Sequence, residues 1–168
     1  MDTSNVAAIN DTHRVAYAWE MWPGALDGSI VKRGNAVANI TLGPTKPIAR
    51  GLGPLLKGPD AIALGLLAIL RDGEYIYTYS IAGPSNIVVC RVAADNSVFD
   101  VGEYECLAHG SETDWVAGIP AGSTTSIGAT MANPGGQSGR IVYESVVYSD
   151  YMEQCVTICD IYENFVNI

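Results

Sequence analysis

The stretch from Gly58 to Asn86, GPDAIALGLLAILRDGEYIYTYSIAGPSN, restricts the fold more than any other part of the chain. Residues 61–70 are apolar without a break, which by itself fits a buried helix or a buried strand. Arg71-Asp72-Gly73-Glu74 is turn chemistry, and beyond it Tyr75, Tyr77, Tyr79 and Ile81 alternate with Ile76, Thr78 and Ser80. An apolar run, a turn and an alternating aromatic and β-branched run together make a hairpin. Ala61–Leu70 is therefore expected to pair with Tyr75–Ile81. A first strand that is apolar on both faces belongs at the centre of a layered structure. Gly65 within it marks a place where backbone or a large side chain presses close.

The rest of the chain agrees with strands. In 168 residues, 48% hydrophobic and 16% charged, there is material for one domain with a core and no need of staples. That domain is expected to cover 1–168, with its core in 6–148 and a C-terminal extension at 150–168. Eighteen Gly and eight Pro in short punctuated runs favour all-β architecture. Val6 to Ile9 begins the apolar pattern, and Asn10 to His13 reads as a turn. Val15, Tyr17, Trp19 and Met21 then alternate with Arg14, Ala16, Ala18 and Glu20 as a half-buried strand. Ile30-Val31 and Val37–Leu42 read as two strands separated by Lys32-Arg33-Gly34-Asn35. Gly43 to Pro59 holds four prolines and four glycines and reads as a long loop. Ile87–Ala93 is a strand. Asp95-Asn96-Ser97 could cap a short helix over Val98–Leu107, with Asp100 three residues after Ser97, although Gly102 leaves a strand open there. His109 to Gly122 reads as loop. Thr124–Met131 and Arg140–Tyr148 read as strands joined by Asn133-Pro134-Gly135-Gly136. In the tail, Cys155, Thr157 and Cys159 share a strand face, while Met152, Val156 and Cys159 fit a helix.

Charge excludes some partners. Residues 1–57 hold six Lys/Arg and four Asp/Glu, a net of +2; residues 58–168 hold three and fourteen, a net of −11. A chain at −9 lacks the basic stripe that nucleic acid requires. General adsorption to anionic lipid is disfavoured in the same way, so membrane contact is expected to rest on neutral head groups and aromatic side chains. No window reaches the roughly 18 uninterrupted apolar residues of a spanning helix. The opening Met1-Asp2-Thr3-Ser4-Asn5 lacks the basic and apolar regions of a secretory leader. Release without a signal peptide and action at a membrane surface are the corresponding expectation, and the four cysteines are expected to be reduced and buried.

Catalytic constellations are sparse. His13 and His109 have no metal-pair spacing, and Cys155-x-x-x-Cys159 is not the usual zinc spacing. Cys90 and Cys106 are expected to be free or, at most, paired within the chain. His109 near Glu112 and Asp114 fits a solvated acidic loop better than a site. No phosphate-cradling glycine motif or nucleophile elbow occurs. No enzyme activity, cofactor or metal is expected. Nine Tyr and three Trp against two Phe weight the rings toward those with a polar tip. Such rings serve sugar stacking, choline cages and membrane interfaces, or simply cover a half-exposed sheet face.

The central hairpin resembles that of the actinoporin-like cytolysins: Gly58-Pro59, Gly65, Leu67-Ala68, Asp72-Gly73, then Ser80-Ile81 before Pro84. Ala129-Thr130-Met131 with Gly139-Arg140-Ile141-Val142 resembles the family's closing hairpin, and Val6–Asp11 its first strand and turn. The resemblance implies a β-sandwich of about ten strands with short flanking helices. It implies a phosphocholine-type lipid head group as ligand or, as in related mushroom fruit-body lectins on the same scaffold, a glycan; homo-oligomers are left open. Ser80 and Pro84 match the head-group loop, and Phe99 or Tyr104 the tyrosines of the following helix. Two features depart from the pattern. Asn86 runs straight into Ile87-Val88-Val89 where the family is rich in Tyr and Trp, and only about five residues precede the first strand where the family carries a pore helix. The tail could reach across a bilayer, but Asp150, Glu153, Asp160 and Glu163 would each cost about 2.5–3.5 kcal/mol at its centre. Surface binding without permeabilisation of neutral vesicles is the resulting expectation.

Overall fold

The computed structural model describes residues 2–3, 5–23, 30–58, 61–82, 86–108, 111, 113–120, 140–149 and 154–162. It is an all-β antiparallel sandwich. One five-stranded sheet contains β1 (Asp2–Thr3), β2 (Ala7–Ala8), β3 (His13–Pro23), β4 (Ile30–Leu42) and β5 (Pro47–Lys57), in the order β1-β3-β4-β5 with β2 also on β3. The other runs β10-β9-β8-β7-β6, from β6 (Ala63–Asp72), β7 (Tyr75–Ala82), β8 (Asn86–Ala93), β9 (Glu105–Leu107) and β10 (Trp115–Ala117). A two-stranded ribbon, β11 (Arg140–Ser149) and β12 (Gln154–Tyr162), lies with β11 against β6.

The hairpin that organises the sequence also organises the second sheet. Asp72 opposes Tyr75, and Ile69 opposes Thr78. Gly73 takes φ +56° at the first position of the two-residue turn, where hairpins need a positive φ. The pairing of β6 with β7 is irregular between Ala63 and Ala68. Gly65 sits in that irregularity at φ +67°, and an added Cβ would lie 2.8 Å from Ile69 Cγ2 and 3.0 Å from the Tyr17 ring. The close approach expected at Gly65 is thus the Tyr17 ring of the opposite sheet.

Alternation sorts each strand into a core face and a solvent face. Val15 and Tyr17 of β3, Val37 of β4, Ile76 of β7 and Val88, Cys90 and Val92 of β8 are buried together with Leu64, Val98 and Tyr104. The sheets are tied through polar atoms as well. Tyr104 Oη donates to the Val98 carbonyl at 2.7 Å, so Tyr17 Oη donates to Tyr104 Oη, also at 2.7 Å. Asn35 donates to the Leu64 carbonyl at 3.1 Å. Burial pushes both phenols upward in pKa, above the ordinary tyrosine range.

Several sequence expectations are corrected. Residues 30–42 form one strand, because Arg33, one of the residues read as a break, is taken up as a bulge of β4 opposite Glu20 and Met21 of β3. The proline-rich stretch read as a loop contains β5. An edge strand pairs along one side only, so missing N–H groups are tolerated there. Register breaks between Asn35 and Ala36 and between Ala36 and Ala38 accommodate its irregular backbone. The helix read over Val98–Leu107 is two 3₁₀ turns, Asn96–Phe99 and Val101–Glu103, followed by β9. Asp95 caps the first turn by accepting from Ser97 N–H, and that bond holds its carboxyl below its ordinary pKa. The loop read over His109–Gly122 contains β10. The tail ambiguity resolves as a strand, β12. Cys90 and Cys106 form a disulfide within the chain, the pairing left open for them, so these two of the four cysteines are not reduced; β8 and β9 set them directly opposite each other. Thr124–Met131 and Asn133–Gly136 lie outside the described residues, as do His109 and Glu112.

Candidate functional site

The outer face of the second sheet carries the densest group of interacting rings and charges among the described residues. Because Ile76, Thr78 and Ser80 of β7 point inward, Tyr75, Tyr77 and Tyr79 point out. The β7–β8 register places Tyr77 beside Arg91, and the β8–β9 register places Arg91 beside Glu105. Trp115 comes from β10, which pairs with β9.

These side chains lock one another. Tyr77 meets Trp115 edge-on with centroids 5.9 Å apart, and meets Tyr75 edge-on at 6.3 Å. The Arg91 guanidinium lies 4.1 Å from the centre of the Trp115 ring and 4.6 Å from that of Tyr75. Such distances are those of cation–π contacts. Arg91 Nε donates to Glu105 Oε1 at 2.5 Å. Desolvation works against the Arg91 charge, but the Glu105 hydrogen bond and charge, with help from the Tyr77 hydroxyl, outweigh it and raise the pKa. The result is an ordered surface of three rings, one fork of N–H donors and one carboxylate.

A disulfide lies beneath it. The Cys90–Cys106 pair is adjacent along both strands to the Arg91–Glu105 pair, and both sulfur-bearing residues are fully buried. This was the signal the sequence held: in an antiparallel pair through Cys90 and Cys106, the next opposed residues are Arg91 and Glu105.

The residues singled out from the sequence are placed elsewhere. Ser80 is fully buried, and its Oγ accepts from the Gly65 N–H at 2.9 Å. Tyr104 is fully buried in the inter-sheet bonds described above. Phe99 is half-buried and, with Leu52, Pro54, Asp100 and Val101, lines an open cleft of about 280 Å³ between β5 and the 3₁₀ turns. Pro84 lies outside the described residues. Ser80, Phe99 and Tyr104 are therefore not brought into one site; Ser80 and Tyr104 present no surface. Among the described residues, no three of His, Cys, Asp and Glu converge to hold a metal ion, and no helix is long and apolar enough to cross a membrane.

Comparison of the chain with protein-family models, with curated proteins and with solved structures finds no match.

Proposed function

We propose that this protein is a non-catalytic binder of neutral glycans, and that the ring face of the second sheet is its binding surface. The observation that carries the proposal is the Arg91 guanidinium held against Trp115 and Tyr75 by Glu105. Sugars are bound by a combination of ring surface, for their C–H faces, and rigid donor and acceptor groups, for their hydroxyls. Tyr77 supplies the first, with the parts of Tyr75 and Trp115 that the Arg91 guanidinium leaves uncovered. The Arg91–Glu105 pair supplies the second, a planar donor fork beside a carboxylate oxygen. Ordering these side chains before the ligand arrives reduces the entropy cost of binding.

Charge selects neutral ligands. Glu105 offsets Arg91, and Asp72, Glu74, Asp95 and Asp114 are further carboxylates of the same half of the chain. An acidic glycan meets repulsion there. A phosphocholine-type head group, the ligand that the actinoporin-like resemblance implies, is the competing occupant. A choline cage needs an open cation position among rings, and Arg91 fills that position here.

The test is a binding panel of immobilised neutral glycans and of phosphatidylcholine–sphingomyelin vesicles, run with the wild type and with Tyr77→Ala. Retention on a glycan that falls at least tenfold in Tyr77→Ala supports the reading, as expected for a central aromatic anchor. Retention on choline vesicles alone, lost in the same variant, replaces it with the head-group reading. Binding that Tyr77→Ala leaves unchanged moves the site off this face.

A further inference from the structure

We propose that the β4–β5 hairpin docks this protein onto an anionic bilayer surface. From Gly28 to Pro59 the chain carries five Lys and Arg and not one Asp or Glu, within a molecule of net charge −9. The fold gathers residues 30–57 of it, which hold all five, into the β4–β5 hairpin, at the edge of the first sheet. From Pro44 to Pro54 every residue is exposed, so both faces of this part of β5 meet solvent. Ile48 is 62% exposed, Leu52 45% and Leu42 41%. Exposed Lys46 and Arg50 stand among these apolar side chains, and exposed Lys57 lies further along the strand.

Cations interleaved with bare aliphatic side chains suit a bilayer interface, where anionic head groups lie just above an apolar boundary. A second copy pairing edge to edge suits it less. Pro47, Pro54 and the two register breaks opposite Ala36 interrupt the regular ladder that strand addition needs. The overall negative charge does not forbid the contact. Packed sheets lie about 10 Å apart, and charges are screened over about 8 Å at physiological ionic strength. Asp100 lines the same cleft as Leu52, and at the other end exposed Asp11 adjoins Thr12, whose carbonyl accepts from the Leu42 N–H, so the contact is confined to the turn and the start of β5, Pro44 to Arg50. The surface is separate from the ring face and does not depend on the glycan reading.

Flotation with phosphatidylcholine vesicles, with and without phosphatidylserine, tests this directly. The full chain is expected to float with the phosphatidylserine vesicles at physiological ionic strength and to stay behind with phosphatidylcholine alone. Lys46→Glu combined with Arg50→Glu is expected to lower that binding at least tenfold, and Ile48→Ser several-fold. All three positions are exposed, and near-ultraviolet circular dichroism checks that each variant is folded. If the double variant unfolds, Ile48→Ser alone decides. The proposal is overturned by no binding to the anionic vesicles, by equal binding to neutral ones, or by binding indifferent to these substitutions. It is also overturned if the hairpin instead drives vesicle-free self-association that the double variant abolishes, which would assign the surface to a second copy.

Discussion

β5 and β7 both turn side chains toward solvent, and they hold them in opposite ways. On β7 the outward rings rest on a neighbouring strand at either side, on each other and on a charge pair. Beneath them lie a disulfide and a buried layer that includes Ile76, Thr78 and Cys90. On β5 the outward side chains have one neighbouring strand, and from Pro47 to Pro54 neither face is covered. Exposure alone therefore says little about what a surface does. A strand anchored from below can hold rings in fixed geometry for a ligand with its own shape. A free edge with aliphatic and basic side chains suits a partner without fixed shape.

That contrast predicts a gradient of mutational cost, and the largest effect is under the ring face. Gly65→Val combines a left-handed φ with a Cβ pressed against Tyr17 and Ile69, and is expected to lose roughly 3 kcal/mol or more. Chemical denaturation measures it; a loss below about 1 kcal/mol would show that the sheets do not press together there.

Next comes the disulfide. Replacing Cys90 and Cys106 together by Ala opens a loop with a sequence separation of 16, and a loop of that size is worth about 3 kcal/mol. The variant also tests whether β9 and β10 keep their place, since β8 and β9 pair at only two positions, one of them the cysteines.

Third is Tyr17→Phe, which removes the inter-sheet hydroxyl contact and is expected to cost about 1–2 kcal/mol. It carries a pH signature. Both phenols have folded pKa values above the unfolded value of about 10, so the stability they contribute is complete below about pH 10 and is lost as pH rises beyond it. The loss is expected to be shallower in Tyr17→Phe, and melting temperatures across that range read it.

The smallest effects are on the two surfaces. Arg91→Ala is expected to cost about 1 kcal/mol, because its ion pair is partly exposed and its ring contacts are worth little more. Ile48→Ser is expected to stay within about 0.5 kcal/mol of wild type. A large loss in Ile48→Ser would mean that β5 is packed, and the contrast between the strands would fail.

How far these surfaces could be read from the sequence depended on whether the signal was local. The β6–β7 hairpin was legible because its turn and its alternating tyrosines sit side by side in the chain. That alternation also placed Ser80 on the face opposite the tyrosines; its assignment to a ligand came from the resemblance alone. β5 was hidden because proline and glycine mark loops and edge strands alike, and only the partner strand separates them. β10 is three residues long and exists by virtue of its pairing with β9. The Arg91–Glu105 contact depends on register between separate strands, which the cysteines would have supplied had their pairing been known.

The proposal that two faces of one sandwich serve two different partners is decided by measuring glycan affinity and anionic-vesicle affinity side by side for wild type, Trp115→Ala and Ile48→Ser. A crossed result is expected: Trp115→Ala loses the glycan at least tenfold and keeps the vesicles, while Ile48→Ser loses the vesicles several-fold and keeps the glycan. If one substitution weakens both, or Trp115→Ala weakens neither, the ring face and the hairpin are not separate binding surfaces.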